Sequence, residues 1–220
     1  MADAAVVFDV DGVLLELTSA EEDAFFVPFE NRYGLKNLSR DWNSYAIRND
    51  ENIIAEIFAS HSIPARERSK VVADYLEILK LRLSNGVIET ITIPGVHELL
   101  KNLHGNSQIG IATANLLGAA ELRLKYVNLW PYVSAHAFGA EGVGHKREIL
   151  ARAIASIPLP RDRIIYVGDN DVEAGLSNGV HFIGFSTNPG RLNELKEAGA
   201  SHLSNNHLDT FRLISHLLGK

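Results

Sequence analysis

Four short stretches of this 220-residue chain hold residues that could do chemistry together. "FDVDG" carries Asp9 and Asp11, and "ATAN" carries Thr113, Ala114 and Asn115. "GHK" carries His145 and Lys146, and "VGDNDVE" carries Asp169, Asp171 and Glu173. Three of the four close an apolar run, where a buried strand would meet solvent. Carboxylates gathered at one point repel, so such a cluster needs positive charge. The chain has no cysteine, so every available anionic donor is oxygen. Oxygen donors suit a hard cation such as Mg2+, which keeps several waters and binds through one or two carboxylates plus phosphate. Lys146 adds a fixed positive charge. A field of this kind suits a phosphorylated ligand.

The elements that must position these residues are legible as patterns. Continuous runs rich in β-branched residues read as buried strands: "AVVFD" (5–9), "IGIAT" (109–113), "RIIYVGD" (163–169) and "VHFIGF" (180–185). Helical patterns follow the later runs, in "GAAELRLKYVNL", "KREILARAIASI" and "GRLNELKEAGA". Strands alternating with helices imply right-handed crossovers and a parallel sheet, an α/β fold. In an open parallel sheet, ligands bind outside the carboxyl ends of the strands. The acidic and hydroxyl residues above fall at those ends, so they are expected to share one crevice.

The segment between the first two runs differs. From about residue 16 to 89 no strand pattern appears, and three or four helices are expected instead. Ser19 reads as a helix N-cap, with Glu22 completing a capping box, and Gly34 as the stop signal. Asn49 or Asp50 starts a second helix, and "ARERSKVVADYLEILKLRLSNG" is long and amphipathic. Pro94 and Gly95 then turn the chain into a core helix. An insertion of about 70 residues can form a small helical domain leaning on the core. The expected division is a core of residues 1–15 and 90–220 and an insertion of residues 16–89, with Glu16 and Thr18 at the hinge. At the C-terminus, Leu208, Phe211, Leu213, Ile214 and Leu217 are expected on one helix face, buried on the sheet.

Composition excludes several classes. Apolar residues make up 46% of the chain, enough for a sizeable core. A net charge of −6 argues against a diffuse basic surface for nucleic acid. Without cysteine there is neither a disulfide framework nor a thiolate metal site. No apolar run approaches the roughly 20 residues that cross a bilayer, and the N-terminus lacks the pattern of a secretory signal. A cytoplasmic monomer or homodimer with no nucleic-acid or membrane partner is expected.

Taken in order and on these elements, "DVDGV", "IATAN", "GHK" and "VGDND" resemble the four motifs of the haloacid dehalogenase-like hydrolase superfamily. The resemblance is to members whose α-helical cap is inserted between the first and second motifs, and it runs from about residue 6 to residue 185 and beyond. It implies a Rossmann-like, three-layer core around a parallel sheet, with residues 16–89 as the cap domain. It implies that Asp9 is the nucleophile and Asp11 the general acid–base, with Val10 between them and Gly12 permitting the turn that follows. Thr113 would donate its hydroxyl to a phosphoryl oxygen, beside Ala114 and Asn115. Lys146 would offset charge on the nucleophile, although the usual proline after this lysine is missing. Asp169 would hold Mg2+ together with Asp9 and the backbone carbonyl of Asp11.

The second acidic residue of the fourth motif is left open between Asp171 and Glu173. In the insertion, Tyr45 and Arg48, near Trp42, are candidates to face the substrate. Arg48 would pair with an anionic group there, and ordinary helix packing is the competing reading. None of the nine histidines forms a helical pair at metal spacing, and His145, the one near the site by sequence, is expected on the surface or in support of the site rather than in catalysis. The resemblance implies an Mg2+-dependent phosphatase acting on a small phosphate monoester through an aspartyl-phosphate, with phosphoglycolate phosphatase the nearest familiar activity. A phosphosugar mutase, or a non-catalytic binding or regulatory protein on the same scaffold, are the alternatives.

Overall fold

Residues 3–219 are described by a computed structural model. The chain opens with β1 (Ala5–Phe8) and then leaves the sheet for α1 (Ser19–Tyr33), α2 (Asp50–Ser60) and α3 (Arg68–Ser84). It returns through α4 (Val96–Leu103), β2 (Gln108–Ala112), α5 (Leu117–Tyr126), α6 (Trp130–Val133) and β3 (His136–Phe138). The second half runs α7 (Lys146–Ala155), β4 (Ile164–Gly168), α8 (Val172–Ser177), β5 (His181–Phe185), α9 (Pro189–Glu197), β6 (His202–Ser204) and α10 (His207–Leu217).

All strand pairs are parallel, in the order β3-β2-β1-β4-β5-β6. Alternate residues of each central strand feed opposite faces, as the two-residue strand period requires. Val6 and Phe8 join Ile109, Ile111, Ile165 and Val167 under α4, α5 and α10, whereas Val7, Tyr166 and Phe182 pack under α7 and α8. The result is a three-layer α/β core. Each fully buried aliphatic or aromatic side chain there stabilises the fold by roughly 1.5–3 kcal/mol.

The edge strands β3 and β6 have no counterpart among the expected runs. Each has three residues, "HAF" and "HLS", too short and too polar to show a periodicity. Helix α10 packs on α4, β5 and β6, with Ile214 buried, but Leu208 is 62% exposed and does not belong to the buried face.

The three inserted helices have their own apolar cluster. Phe25, Phe26 and Phe29 of α1 meet Ile53, Ile57 and Phe58 of α2 and Tyr75 and Leu79 of α3. Leu116 and Ala119, at the start of α5, complete it from the core side. The N-cap of α1 is Thr18 rather than Ser19, and Glu21 rather than Glu22 closes the capping box. The motif is shifted by one residue because Glu21 is drawn inward by a buried partner described below. Gly34 ends the helix in the left-handed conformation, at φ 69°, as the stop signal requires. Asn49 caps α2, its side chain accepting from the Asn52 N–H at 2.8 Å.

The two connectors of the insertion lie side by side. The Glu16 N–H donates to the Ile91 carbonyl at 2.9 Å, and the Ile93 N–H donates to the Leu14 carbonyl at 3.0 Å. The helices are thus tethered to the sheet by a short paired ribbon, over the carboxyl end of β1.

Candidate active site

The chain order places β1 between β2 and β4, so the connections from the two sides of β1 part at its carboxyl end. This is where an open parallel sheet offers a crevice. A cavity of about 420 Å³ occupies it. Its core wall includes Asp9, Asp11, Thr113, Ala114, Asn115, His145, Lys146, Asp169 and Asp171.

Asp9 is the first residue after β1, anchored by its own N–H to the Val167 carbonyl at 2.9 Å. Its Oδ1 accepts from the Val10 N–H at 2.7 Å and pairs with Lys146 Nζ at 2.6 Å. Lys146 opens α7, where the positive end of the helix disfavours a cation by several tenths of a kcal/mol. Contact with Asp9 offsets that penalty and aims the ammonium into the cavity. Burial, chiefly, pushes the Asp9 carboxyl up to about 6; Lys146 opposes this, and Asp171 and Asp11 add to it.

Gly12 follows at φ 74°. It adopts the left-handed region for which glycine is suited, and a Cβ there would stand 2.4 Å from Asp169 Oδ2. The glycine therefore lets the β1 loop approach the carboxylate at the end of β4. Burial pushes that Asp169 carboxyl up to about 7, and the charge of Asp9 adds to the shift.

Thr113 is fully buried at the end of β2, its Oγ1 accepting from Asn115 Nδ2 at 2.9 Å. The same amide donates to Asp11 Oδ2 at 2.5 Å, so Asn115 ties the second strand end to the first. Asp171 lines the cavity from a left-handed backbone, φ 46°, unusual for a residue with a side chain.

Two of the sequence candidates lie elsewhere. Glu173 is 77% exposed and pairs with Arg147 at 3.5 Å, outside the cavity. Two residues past the α8 N-cap the side chain turns out of the crevice, so of the two acidic candidates only Asp171 faces it. Tyr45 also lies outside; its hydroxyl donates to the Ser39 carbonyl at 2.8 Å, folding the loop on itself. Arg48 does line the cavity, with Nη1 donating to Asn43 Oδ1 at 3.0 Å.

The opposite wall comes from the insertion, with Leu17, Phe25, Trp42, Ile47 and Tyr75 supplying apolar surface. Glu22 accepts from the Trp42 indole N–H, and Asp50 accepts from the Leu116 N–H at 2.8 Å. The Asp50 backbone N–H in turn donates to the Ala114 carbonyl at 3.0 Å. Burial pushes the Asp50 carboxyl up to about 7, against the opposing pull of the Leu116 N–H.

Arg123 and Glu21 were not singled out by the sequence pattern, and Asp50 was read only as a possible helix start. Arg123 Nη2 donates to Asp11 Oδ1 at 2.7 Å and Arg123 Nε to Glu21 Oε1 at 2.8 Å. Burial alone would push this guanidinium down, but Asp11 and Glu21 outweigh it and hold it above its ordinary value. A signal was present: Arg123 stands four residues after Ala119 and three after Ala120, on the apolar stripe of α5.

Among the described residues no three acidic or histidine side chains form a closed metal cage. The donor set nevertheless fits a hard divalent cation. Buried Asp9 and half-buried Asp169 line the same cavity as Asp171, their charges only partly balanced by Lys146, and all donors are oxygen. Mg2+ needs one or two such carboxylates, taking water and phosphate for the rest.

The model of the haloacid dehalogenase-like hydrolase family matches residues 6–185. This chain belongs to that family. CbbY from Rhodobacter sphaeroides, solved in complex with phosphate, is similar over 94% of this chain and 95% of its own, at 18% identity and a TM-score of 0.73. CbbY has also been solved with xylulose-(1,5)bisphosphate. A predicted phosphatase from Clostridium acetobutylicum matches 98% of this chain and 100% of its own, at 20% identity and a TM-score of 0.68. A haloacid dehalogenase-like family protein from Streptococcus pneumoniae matches 96% and 97%, at 17% identity and a TM-score of 0.67. These structures share the fold. No curated protein matches the chain. Among the described residues no helix is long and apolar enough to cross a membrane.

Proposed function

We propose that this family member is a phosphatase, dependent on a divalent cation such as Mg2+, that hydrolyses a small phosphate monoester through a phosphoaspartate on Asp9. One observation carries the reading: Asp9 and Lys146 are paired at 2.6 Å in a cleft that also receives Asp11, Thr113 and Asp169. Asp9 attacks phosphorus, and Asp11 gives its proton to the ester oxygen as the P–O bond breaks. Water then attacks the phosphoaspartate, losing a proton to Asp11, and phosphate leaves with Asp9 restored. Lys146 and the Thr113 hydroxyl contact the phosphoryl oxygens, where charge accumulates. Asp9, Asp169, Asp171 and the carbonyl of Asp11 would hold the cation. When bound, it supplies positive charge that lets the carboxylates and the phosphoryl group approach one another.

The insertion acts as the cap in this reading. It closes the leaving-group side of the cavity with Phe25, Trp42 and Tyr75, leaving room for a small metabolite and excluding bulk water. CbbY bound to a sugar bisphosphate supports a phosphorylated small molecule as the ligand class. The residue division of 1–15 and 90–220 as core and 16–89 as cap is part of the same proposal.

The test is phosphate release from a panel of small phosphate esters, with Mg2+ and with chelator. Release that requires the metal and falls on the order of 10⁴-fold or more in Asp9→Asn is the expected outcome. Release unaffected by Asp9→Asn sinks the mechanism. Absence of release with interconversion of a sugar phosphate would replace hydrolysis by a mutase reaction.

A further inference from the structure

Asp11 is held from two sides. Asn115 donates to Oδ2, and Arg123 donates to Oδ1 at 2.7 Å. The Arg123 side chain is 2% exposed, and the guanidinium does more than meet Asp11. Its Nε donates to Glu21 Oε1 at 2.8 Å, and its Nη2 also reaches the Glu16 carbonyl at 3.2 Å.

Glu21 is equally committed. Its Oε1 also accepts from the Thr90 hydroxyl at 3.1 Å, and its Oε2 accepts from the Thr18 N–H at 2.9 Å. Glu16 and Thr18 lie on the outgoing connector of the helical insertion, and Thr90 lies on the returning one. One buried guanidinium thus touches Asp11 on the core side and, directly or through Glu21, both connectors on the other.

Packing alone does not call for this arrangement. Ala119, Ala120 and Leu124 show what the buried stripe of α5 otherwise contains. A buried cation is costly unless its charge and its donors are matched, and here three acceptors match it. What arginine adds over leucine is a planar, permanently charged group that fixes the direction of a carboxylate.

We propose that Arg123 is a positioning residue: it fixes the Asp11 carboxyl toward the leaving-group oxygen and registers it, through Glu21, to the connectors of the helical insertion. The inference rests on the reading of Asp11 as the proton donor in phosphate-ester hydrolysis.

The test uses the full chain with saturating Mg2+ and two substrates. An alkyl phosphate must receive a proton on its leaving oxygen, whereas p-nitrophenyl phosphate releases a stable phenolate that needs little help. Arg123→Met is expected to lose roughly 10²-fold in kcat on the alkyl ester and about tenfold less on the aryl ester. KM is expected to stay within about threefold, since the Arg123 donors are engaged by Asp11, Glu21 and the Glu16 carbonyl. Arg123→Lys keeps a cation at the site and is expected to recover part of the alkyl rate.

Arg123→Met leaves Glu21 without its buried partner and can fail to fold. In that event Arg123→Lys and Glu21→Gln, checked by circular dichroism, carry the test through the same alkyl-to-aryl ratio. A ratio unchanged in folded variants overturns the inference while leaving the phosphatase reading intact. Wild type inactive on every ester removes both.

Discussion

The two walls of the cleft are built on different principles. On the core wall, Asp9, Thr113 and Asp169 each directly follow a strand, Asp11, Asn115 and Asp171 stand three residues beyond one, and Lys146 opens α7, so their directions follow from the sheet and the helix it carries. Asp9 and Thr113 are fixed by backbone hydrogen bonds to neighbouring strands, from the Asp9 N–H to Val167 and from the Thr113 N–H to Phe138. On the insertion wall, the surface is apolar and aromatic, and its direction depends on how three helices pack. The polar groups there, Glu21, Glu22, Arg48, Asn49 and Asp50, already have protein partners. In the proposed reaction, the rigid wall holds the reacting groups and the packed wall selects the leaving group. Variants on either wall can break this contrast or sharpen it.

Lys146 belongs to the rigid wall and should be needed for rate. Lys146→Met is expected to lower kcat roughly 10³-fold by removing the cation that faces the phosphoryl group. Steady-state kinetics on the best ester of the panel measures this. A change in KM alone would assign Lys146 to binding and blur the distinction between the walls.

Asp50 tests the insertion wall through stability. Its folded carboxyl titrates near 7, against about 3.8 for an unperturbed one. The folded state therefore holds the proton more tightly than the unfolded chain does. That contribution is full below the unfolded value and is lost as pH rises through the folded one. Asp50→Asn stays neutral and can still accept from the Leu116 N–H. From pH 5 to pH 8 its stability should improve relative to wild type by roughly 3 kcal/mol. Urea denaturation at the two pH values gives the number, and an equal difference at both would show that Asp50 is solvated.

Asp171 and Glu173 separate inside from outside over two residues. Asp171→Asn should raise the Mg2+ concentration for half-maximal activity about 10- to 100-fold. Glu173→Gln, whose carboxylate is solvent-exposed, should leave it within about twofold. A metal titration of both variants decides the assignment, and the reverse ranking would place the cation on the other side of α8.

The smallest effects are expected from the loop before α2. Tyr45→Phe removes one exposed hydrogen bond and should change stability by less than about 0.5 kcal/mol. Arg48→Ala should raise KM for an ester carrying a second anionic group about tenfold, with kcat little changed. No preference between such an ester and a neutral analogue would remove Arg48 from substrate recognition.

Much of the core was legible in the residue order. "VVFDVDG", "IGIATAN" and "IIYVGD" show their strands because continuous β-branched runs bounded by polar residues have few other uses. The polar residue that ends each run is then placed by covalent geometry at the carboxyl edge of the sheet. Gly12 could be expected at a turn, but its close approach to Asp169 required the pairing of β1 with β4. The short strands β3 and β6 left no pattern, because three residues at a sheet edge need neither alternation nor burial.

The sequence by itself determined the four central strands and their order, the helical nature of the insertion and the residues that stand at those strand ends. These are local properties, set by hydrophobic period, turn residues and chain connectivity. Only the tertiary structure decided which helix faces turn inward. Asp171 rather than Glu173 faces the cavity because α8 begins from a left-handed residue that sets its rotation. Tyr45 is turned away by its own loop, and Thr18 takes the cap because Glu21 is drawn to Arg123. The helical spacing puts Arg123 on the buried stripe of α5, but its partners, the Asp11 and Glu21 carboxylates, are 112 and 102 positions away and are brought to it only by the fold. Charges so distant along the chain become neighbours only through packing, and that is why the most connected group in this cleft was the least visible in the sequence.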